Sequence, residues 1–174
     1  TGSLTELVDP AVGRLFPHLE GRVVDPATGE VVVFSEEGEL EVRGPGTMVG
    51  FLDDPDQTTA TLRPDGWLRT GDLATMDERG YLRVVGRLKD VIISGGVNVY
   101  PAEVEAALAE HPEVLAAAVV GRPHDRWGEQ VVALVRLAPG AQVDEAALVE
   151  HARTRLAPHK VPKAWRFVDE LPLT

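Results

Sequence analysis

Five positions combine side chains, or their absence, with neighbours that constrain the backbone: Asp72, Arg87, Lys89, Gly95 and Gly96. Asp72 ends the run Thr70-Gly71-Asp72, and a carboxylate offers a ligand acceptor oxygens and nothing else. The same Gly-Asp pair also suits an exposed turn. Arg87 carries a rigid fork that matches paired oxygen acceptors better than lysine would, although a surface arginine closing a strand reads the same way. Lys89 stands beside Asp90, which by itself describes a solvated cation. Gly95-Gly96 brings no Cβ, so it permits either the close approach of a ligand or simply a tight turn.

Other chemistries find little support. The five histidines, at 18, 111, 124, 151 and 159, never fall four residues apart or in a tract, so no metal site is assigned. The absence of cysteine excludes a thiolate zinc site, a disulfide framework and a cysteine nucleophile. With 17 Lys+Arg against 28 Asp+Glu, the formal charge of −11 opposes a sequence-independent grip on nucleic acid or an anionic membrane. At 44% hydrophobic and 26% charged residues, the composition is that of a soluble globular protein. Val114 to Val120 is interrupted by Gly121, Arg122 and Pro123, and Thr1 to Asp9 lacks a basic start and apolar core. Neither a transmembrane helix nor a secretory signal is expected, and the expected location is cytoplasmic.

The elements that must hold these positions change character along the chain. In the first half, Arg22–Asp25 and Val31–Phe34 flank Asp25-Pro26-Ala27-Thr28-Gly29 and predict a hairpin. Leu40 and Val42 predict a further strand, followed by a loop from Gly44 onward. A second hairpin is predicted from Leu73–Met76 and Tyr81–Val85 about Asp77-Glu78-Arg79-Gly80. After Tyr100, Pro101 suits the first position of a helix with Val104, Ala107 and Leu108 on one face, where Glu103 and Glu105 read as helix-start charges. Val114–Val120 and Gln130–Leu137 predict a strand pair around a polar loop, Gly121–Glu129, with Trp127 tucked against the domain. Asp144 can cap a second helix bearing Leu148, Ala152 and Leu156, and Ala164–Val168 can add a last strand. This order predicts an α+β fold in two pieces that meet near residue 89.

Two stretches are more particular. Gly66-Trp67-Leu68-Arg69-Thr70-Gly71-Asp72-Leu73 and Gly86-Arg87-Leu88-Lys89-Asp90-Val91-Ile92-Ile93-Ser94-Gly95-Gly96-Val97-Asn98-Val99-Tyr100-Pro101 together resemble the adenylate-forming enzymes. That superfamily holds acyl- and aryl-CoA synthetases, peptide-synthetase adenylation domains and luciferases. Gly38-Glu39-Leu40, Arg43-Gly44-Pro45-Gly46-Thr47-Met48-Val49-Gly50-Phe51 and Leu171-Pro172-Leu173-Thr174 extend the likeness in the family's order.

The resemblance implies that residues 1–88 are the β-rich end of the large AMP-binding domain. Residues 89–174 would then be a small mobile α+β domain, a short sheet flanked by helices, truncated before the family's closing lysine. It further implies that Asp72 and Arg87 bind the ribose of ATP. Lys89 would be the hinge about which the small domain turns, and Gly95 and Gly96 would border the tunnel admitting the pantetheine arm of CoA. No catalytic side chain is implied within the 174 residues, because the family's phosphate-binding loop, rich in Ser, Thr and Gly with a lysine, has no counterpart here. Ser3-Leu4-Thr5-Glu6 resembles the family's phosphate-binding Thr-Glu only superficially, being too close to Gly13.

Lysine at position 89 and the Ser94–Glu105 segment are closer to the CoA ligases than to the peptide synthetases. The expected parent is therefore an AMP-forming acyl-CoA synthetase acting on a carboxylic acid with ATP, Mg2+ and CoA, inactive when reduced to these residues. An adenylation domain of another branch and a non-catalytic nucleotide-binding or interaction module are the alternatives.

Overall fold

Short strands joined by Pro/Gly/Asp turns cannot each bury a face alone, and in the computed structural model, which describes residues 13–171, they assemble into two sheets. Leu171 is thus the only described residue of the terminal Leu-Pro-Leu-Thr match, and Ser3–Glu6 lies wholly outside the described residues. The chain divides into two compact units between Leu88 and Lys89. The fold is α+β.

The first unit contains β1 (Gly13–Arg14), β2 (Glu20–Val24), β3 (Gly38–Arg43), a short helix α1 (Pro55–Thr61), β4 (Leu68–Met76) and β5 (Tyr81–Arg87). Its strands form one antiparallel sheet in the order β1-β5-β4-β3-β2. The β4–β5 hairpin is as predicted and longer. Its turn is held by Asp77, whose Oδ1 accepts from the Arg79 and Tyr81 amides at 2.9 and 2.8 Å.

The first predicted hairpin forms only next to its turn, where the Asp25 amide donates to the Glu30 carbonyl at 2.8 Å and the Val32 amide to the Val23 carbonyl at 3.0 Å. β2 pairs with β3 over its whole length, and Val31 contributes only an isolated bridge to Val24. The turn itself is present, with Asp25 Oδ1 accepting from the Ala27 and Thr28 amides. Its returning arm is then drawn away at Ser35, which has a φ of 70° and donates its amide to the Met76 carbonyl. Val31, Val33 and Phe34 therefore stay exposed, because β-branched residues stabilise a strand only where they meet cross-strand partners. The loop expected after Gly44 contains α1, begun by Asp54, whose Oδ1 accepts from the Gln57 amide, and by Pro55 at the first position.

Much of this unit's interior is ionic. Glu39 and Glu41, two apart on β3 and hence on one face, are both buried. Glu41 receives Arg22 on one oxygen at 2.6 Å and Arg63 on the other at 2.6 Å, while Arg69 meets Glu39 at 2.8 Å. The Arg22 and Arg43 guanidiniums lie 4.2 and 4.7 Å from the centroid of the buried Trp67 ring.

A 3-10 turn, Leu88–Asp90, spans the boundary, and the second unit continues through β6 (Ile92–Ser94), β7 (Val97–Val99), α2 (Pro101–Ala109), β8 (Val114–His124), β9 (Gly128–Leu137), α3 (Glu145–Arg153) and β10 (Ala164–Phe167). β8 runs antiparallel along β9; β10 pairs parallel with Val132–Val135, and β6 meets β9 at Gly128. The core is apolar: Val104, Ala107 and Leu108 of α2 and Leu148 and Ala152 of α3 cluster with Val131, Ala133 and Val135 of β9. Both strands run further than predicted, so the expected loop from Gly121 to Glu129 shrinks to Asp125-Arg126-Trp127. Cross-strand pairing carries the polar residues Arg122 and Gln130 into the ladder despite their composition.

Removing Glu41 leaves Arg22 and Arg63 half-buried and unpaired. Glu41→Ala is expected to destabilise the first unit by about 3–5 kcal/mol. Trp67 is the one tryptophan of residues 1–88, so its fluorescence in urea, with Trp127 and Trp165 replaced by Phe, measures this directly.

The amide of Tyr81, with help from Arg79, holds the Asp77 carboxyl below its ordinary range. A depressed folded-state value stabilises the fold above the ordinary carboxylate pKa, and that contribution disappears as pH falls through the folded value. Melting curves of the protein and of Asp77→Asn are therefore expected to converge as pH drops below about 4.

Candidate nucleotide and thioester site

Thr70-Gly71-Asp72 is the point at which β4 departs from regular pairing. Glu41 faces Arg69 and Glu39 faces Leu73, which leaves three residues of β4 opposite Leu40 alone. Gly71 supplies the required left-handed backbone, with a φ of 73° and open space where a Cβ would be. The Thr70 hydroxyl closes the bulge, donating to the Leu40 carbonyl at 2.8 Å and accepting from the Asp72 amide at 3.1 Å. A second irregularity lies on β5, where Val85 is passed over between the pairs Leu73–Gly86 and Ala74–Val84.

Between these bulges Asp72 and Arg87 are direct cross-strand partners, and Arg87 Nε donates to Asp72 Oδ1 at 3.2 Å. Both stay accessible, at 31% and 59% side-chain exposure, so Asp72 Oδ2 and the remaining guanidinium donors are open to a ligand. An acceptor pair beside a donor fork can bind a vicinal diol, which needs both. The two residues, 15 apart in sequence, are brought together by the β4–β5 hairpin. Thr70 was not singled out in the sequence, although it stands in the same Thr-Gly-Asp run and its hydroxyl holds the bulge.

In the second unit Lys89 is exposed at the middle of the 3-10 turn. Gly95 and Gly96, with φ of 61° and 80°, form the two-residue turn between β6 and β7 and need glycine for that conformation. They differ in surroundings. A Cβ on Gly95 would lie 3.1 Å from Cε3 of Trp127, whereas Gly96 faces open space. Trp127 thus packs against the glycine turn, and its carbonyl accepts from the Gly95 amide at 2.8 Å. Arg126 covers the ring from 4.7 Å.

The charges placed at the start of α2 hold structure. Glu103 pairs with Lys160 at 2.7 Å, and Glu105 Oε1 accepts from the Val119 amide at 2.8 Å. The His111 and His151 rings meet edge-on at 4.9 Å, and among the described residues no group of three or more His, Asp or Glu side chains could hold a metal ion.

Residues 103–174 match the family described as the AMP-binding enzyme C-terminal domain. The chain is 46% identical over 164 residues, 94% of its length, to a long-chain-fatty-acid–CoA ligase of Bacillus subtilis. It superposes with a TM-score of 0.88 and 42% identity on ATP-bound MatB of Rhodopseudomonas palustris, over 95% of this chain. The score is again 0.88, at 36% identity and 94% coverage, for o-succinylbenzoate CoA synthetase of Bacillus subtilis in complex with its acyl-adenylate intermediate. The chain spans 29% of the first relative and 33% of each of these two structures.

The two glycines are expected to separate on substitution. Gly96→Ala should cost about 1–2 kcal/mol for its backbone conformation alone, and Gly95→Ala more, because its methyl also displaces Trp127. Urea unfolding of the two variants, followed by circular dichroism, measures the difference.

Residues 103–174 therefore belong to the AMP-binding enzyme C-terminal domain family, and over 94–95% of its length the chain is similar to the C-terminal portion of adenylate-forming enzymes.

Proposed function

We propose that this sequence is the ribose-binding and CoA-admitting part of an AMP-forming acyl-CoA synthetase. In the first half-reaction an oxygen of the carboxylic acid attacks the α-phosphorus of ATP, giving acyl-adenylate and pyrophosphate. In the second, the CoA sulfur attacks the acyl carbon, AMP leaves, and the thiol proton passes to solvent. The observation that carries this reading is the Asp72–Arg87 pair at 3.2 Å, displayed by two bulged strands in a chain similar over 95% of its length to an ATP-bound structure.

Within that reading Asp72 accepts from the ribose hydroxyls and Arg87 both orients Asp72 and donates to the sugar. Residues 1–88 belong to the large AMP-binding domain and residues 89–174 to the small mobile domain. Lys89 then sits where the chain passes from one unit to the next, a position suited to absorbing a dihedral change. The Gly95-Gly96 turn leaves open backbone beside which a narrow thiol arm can pass. Mg2+ accompanies the ATP phosphates, with ligands outside these residues. A cytoplasmic setting, where ATP and CoA are available, fits the reaction; among the described residues no helix is long and apolar enough to cross a membrane.

In the whole protein carrying this sequence, Asp72→Ala is expected to raise KM for ATP about 10- to 100-fold, the worth of a charged hydrogen bond, in a pyrophosphate-release assay. An unchanged KM would remove Asp72 from the ribose site. Lys89→Pro, which freezes φ, is expected to slow thioester formation more than adenylation, measured by separate single-turnover assays. Residues 1–174 alone are expected to release no pyrophosphate in response to a carboxylic acid.

A further inference from the structure

Glu129 is the second residue of β9 and lies 36 residues from β6, yet its Oε2 accepts from the Ile93 amide at 2.7 Å. Ile93 is the central residue of the three-residue strand that leads into Gly95-Gly96. The turn is also held by the Ser94–Gly128 bridge, by the Gly95 amide on the Trp127 carbonyl and by the Trp127 ring packed on Gly95. This short strand pairs along its length with β7 and buries Ile92, and a charged acceptor on its middle amide adds a side-chain tie to β9. The opposite side of the carboxylate is shaped to receive it. A Cβ on Gly121, across the β8–β9 ladder, would stand 2.7 Å from Glu129 Oε1, so the absence of a side chain there makes the room that Glu129 occupies.

From this geometry we infer that Glu129 is a positioning residue for CoA-dependent thioester formation: it fixes β6, and through it the Gly95-Gly96 turn, against the β8–β9 hairpin. This rests on the acyl-CoA synthetase reading. Glu129 need not touch CoA; it restricts where the open backbone of the turn can lie. Glutamine at 129 keeps an acceptor oxygen at the same reach, whereas alanine removes it. Alanine at 121 crowds the same carboxylate, and its Cβ also stands 3.2 Å from Ile92 Cγ2 of β6, with no left-handed backbone to strain, since Gly121 is an ordinary ladder residue opposite Val131.

The test uses the whole protein and two independent readouts. Hydrogen exchange of the Ile93 and Gly95 amides is expected to quicken about tenfold or more in Glu129→Ala and in Gly121→Ala, relative to Leu108 in α2. In single-turnover assays the ratio of thioester formation to adenylation is expected to fall about tenfold in both variants. Glu129→Gln should restore exchange and ratio to within about threefold of the unsubstituted protein. Unaltered exchange at Ile93, or equal loss of both half-reactions, overturns the inference. Failure of the unsubstituted protein to form any acyl-adenylate overturns the enzyme reading instead, and exchange then still decides whether Glu129 holds the turn.

Discussion

A peptide N–H that leaves a regular ladder must find another acceptor, and in this protein side-chain oxygens supply it at many of the places that matter. The Asp72 amide falls on Thr70, that of Ile93 on Glu129, that of Val119 on Glu105 and that of Gln142 on Glu113. Helices α1 and α3 start in the same manner on Asp54 and Asp144. Part of the acidic excess of the chain is therefore architectural. Carboxylates that could be read as a solvated surface instead hold turns, strand amides and helix starts in place.

The two units meet the cost of burial differently. In the second, valines, leucines and alanines of two helices and a sheet interlock with no charged member. In the first, β3 carries two buried glutamates, each met by arginine, with Trp67 beneath two guanidiniums. A buried ion pair gains little over an apolar pair of the same shape, but it is intolerant of losing one partner. That matters at β3–β4, where register is interrupted by the Thr70–Asp72 bulge and must resume correctly at Leu73 for Asp72 to face Arg87.

Exposure separates the proposed ligand-facing residues from those that support them. Asp72 and Arg87 are exposed enough to meet a ligand, while Thr70, Glu39 and Glu41 stand behind them and maintain the strand geometry. Gly95 and Gly96 form the corresponding surface of the second unit, with Trp127 and Glu129 behind them. In each unit a flexible glycine is placed where a rigid support lies next to it, so backbone freedom is used to reach a particular conformation and is then confined.

Local chemistry determined a good deal of this from the sequence alone. The β4–β5 hairpin, the start of α2 at Pro101 and the capping of α3 by Asp144 were legible because each depends on residues within a turn or two of one another. The Asp72, Arg87, Lys89, Gly95 and Gly96 positions could be picked out by their spelling and its resemblance to a known family. Tertiary structure decided the rest. Val31–Phe34 has strand-forming residues but pairs with β2 only at Val31 and Val32, since Ser35 then turns the chain away to Met76. Gly121–His124 has loop composition yet continues a strand, because β9 offers it a ladder. The burial of Glu39 and Glu41 depends on arginines as much as 30 residues away, and the hold of Glu129 on Ile93 spans 36. Short-range sterics and capping are written into consecutive residues, whereas the partner of a strand edge or a carboxylate is set by which distant segment reaches it first in the folded chain.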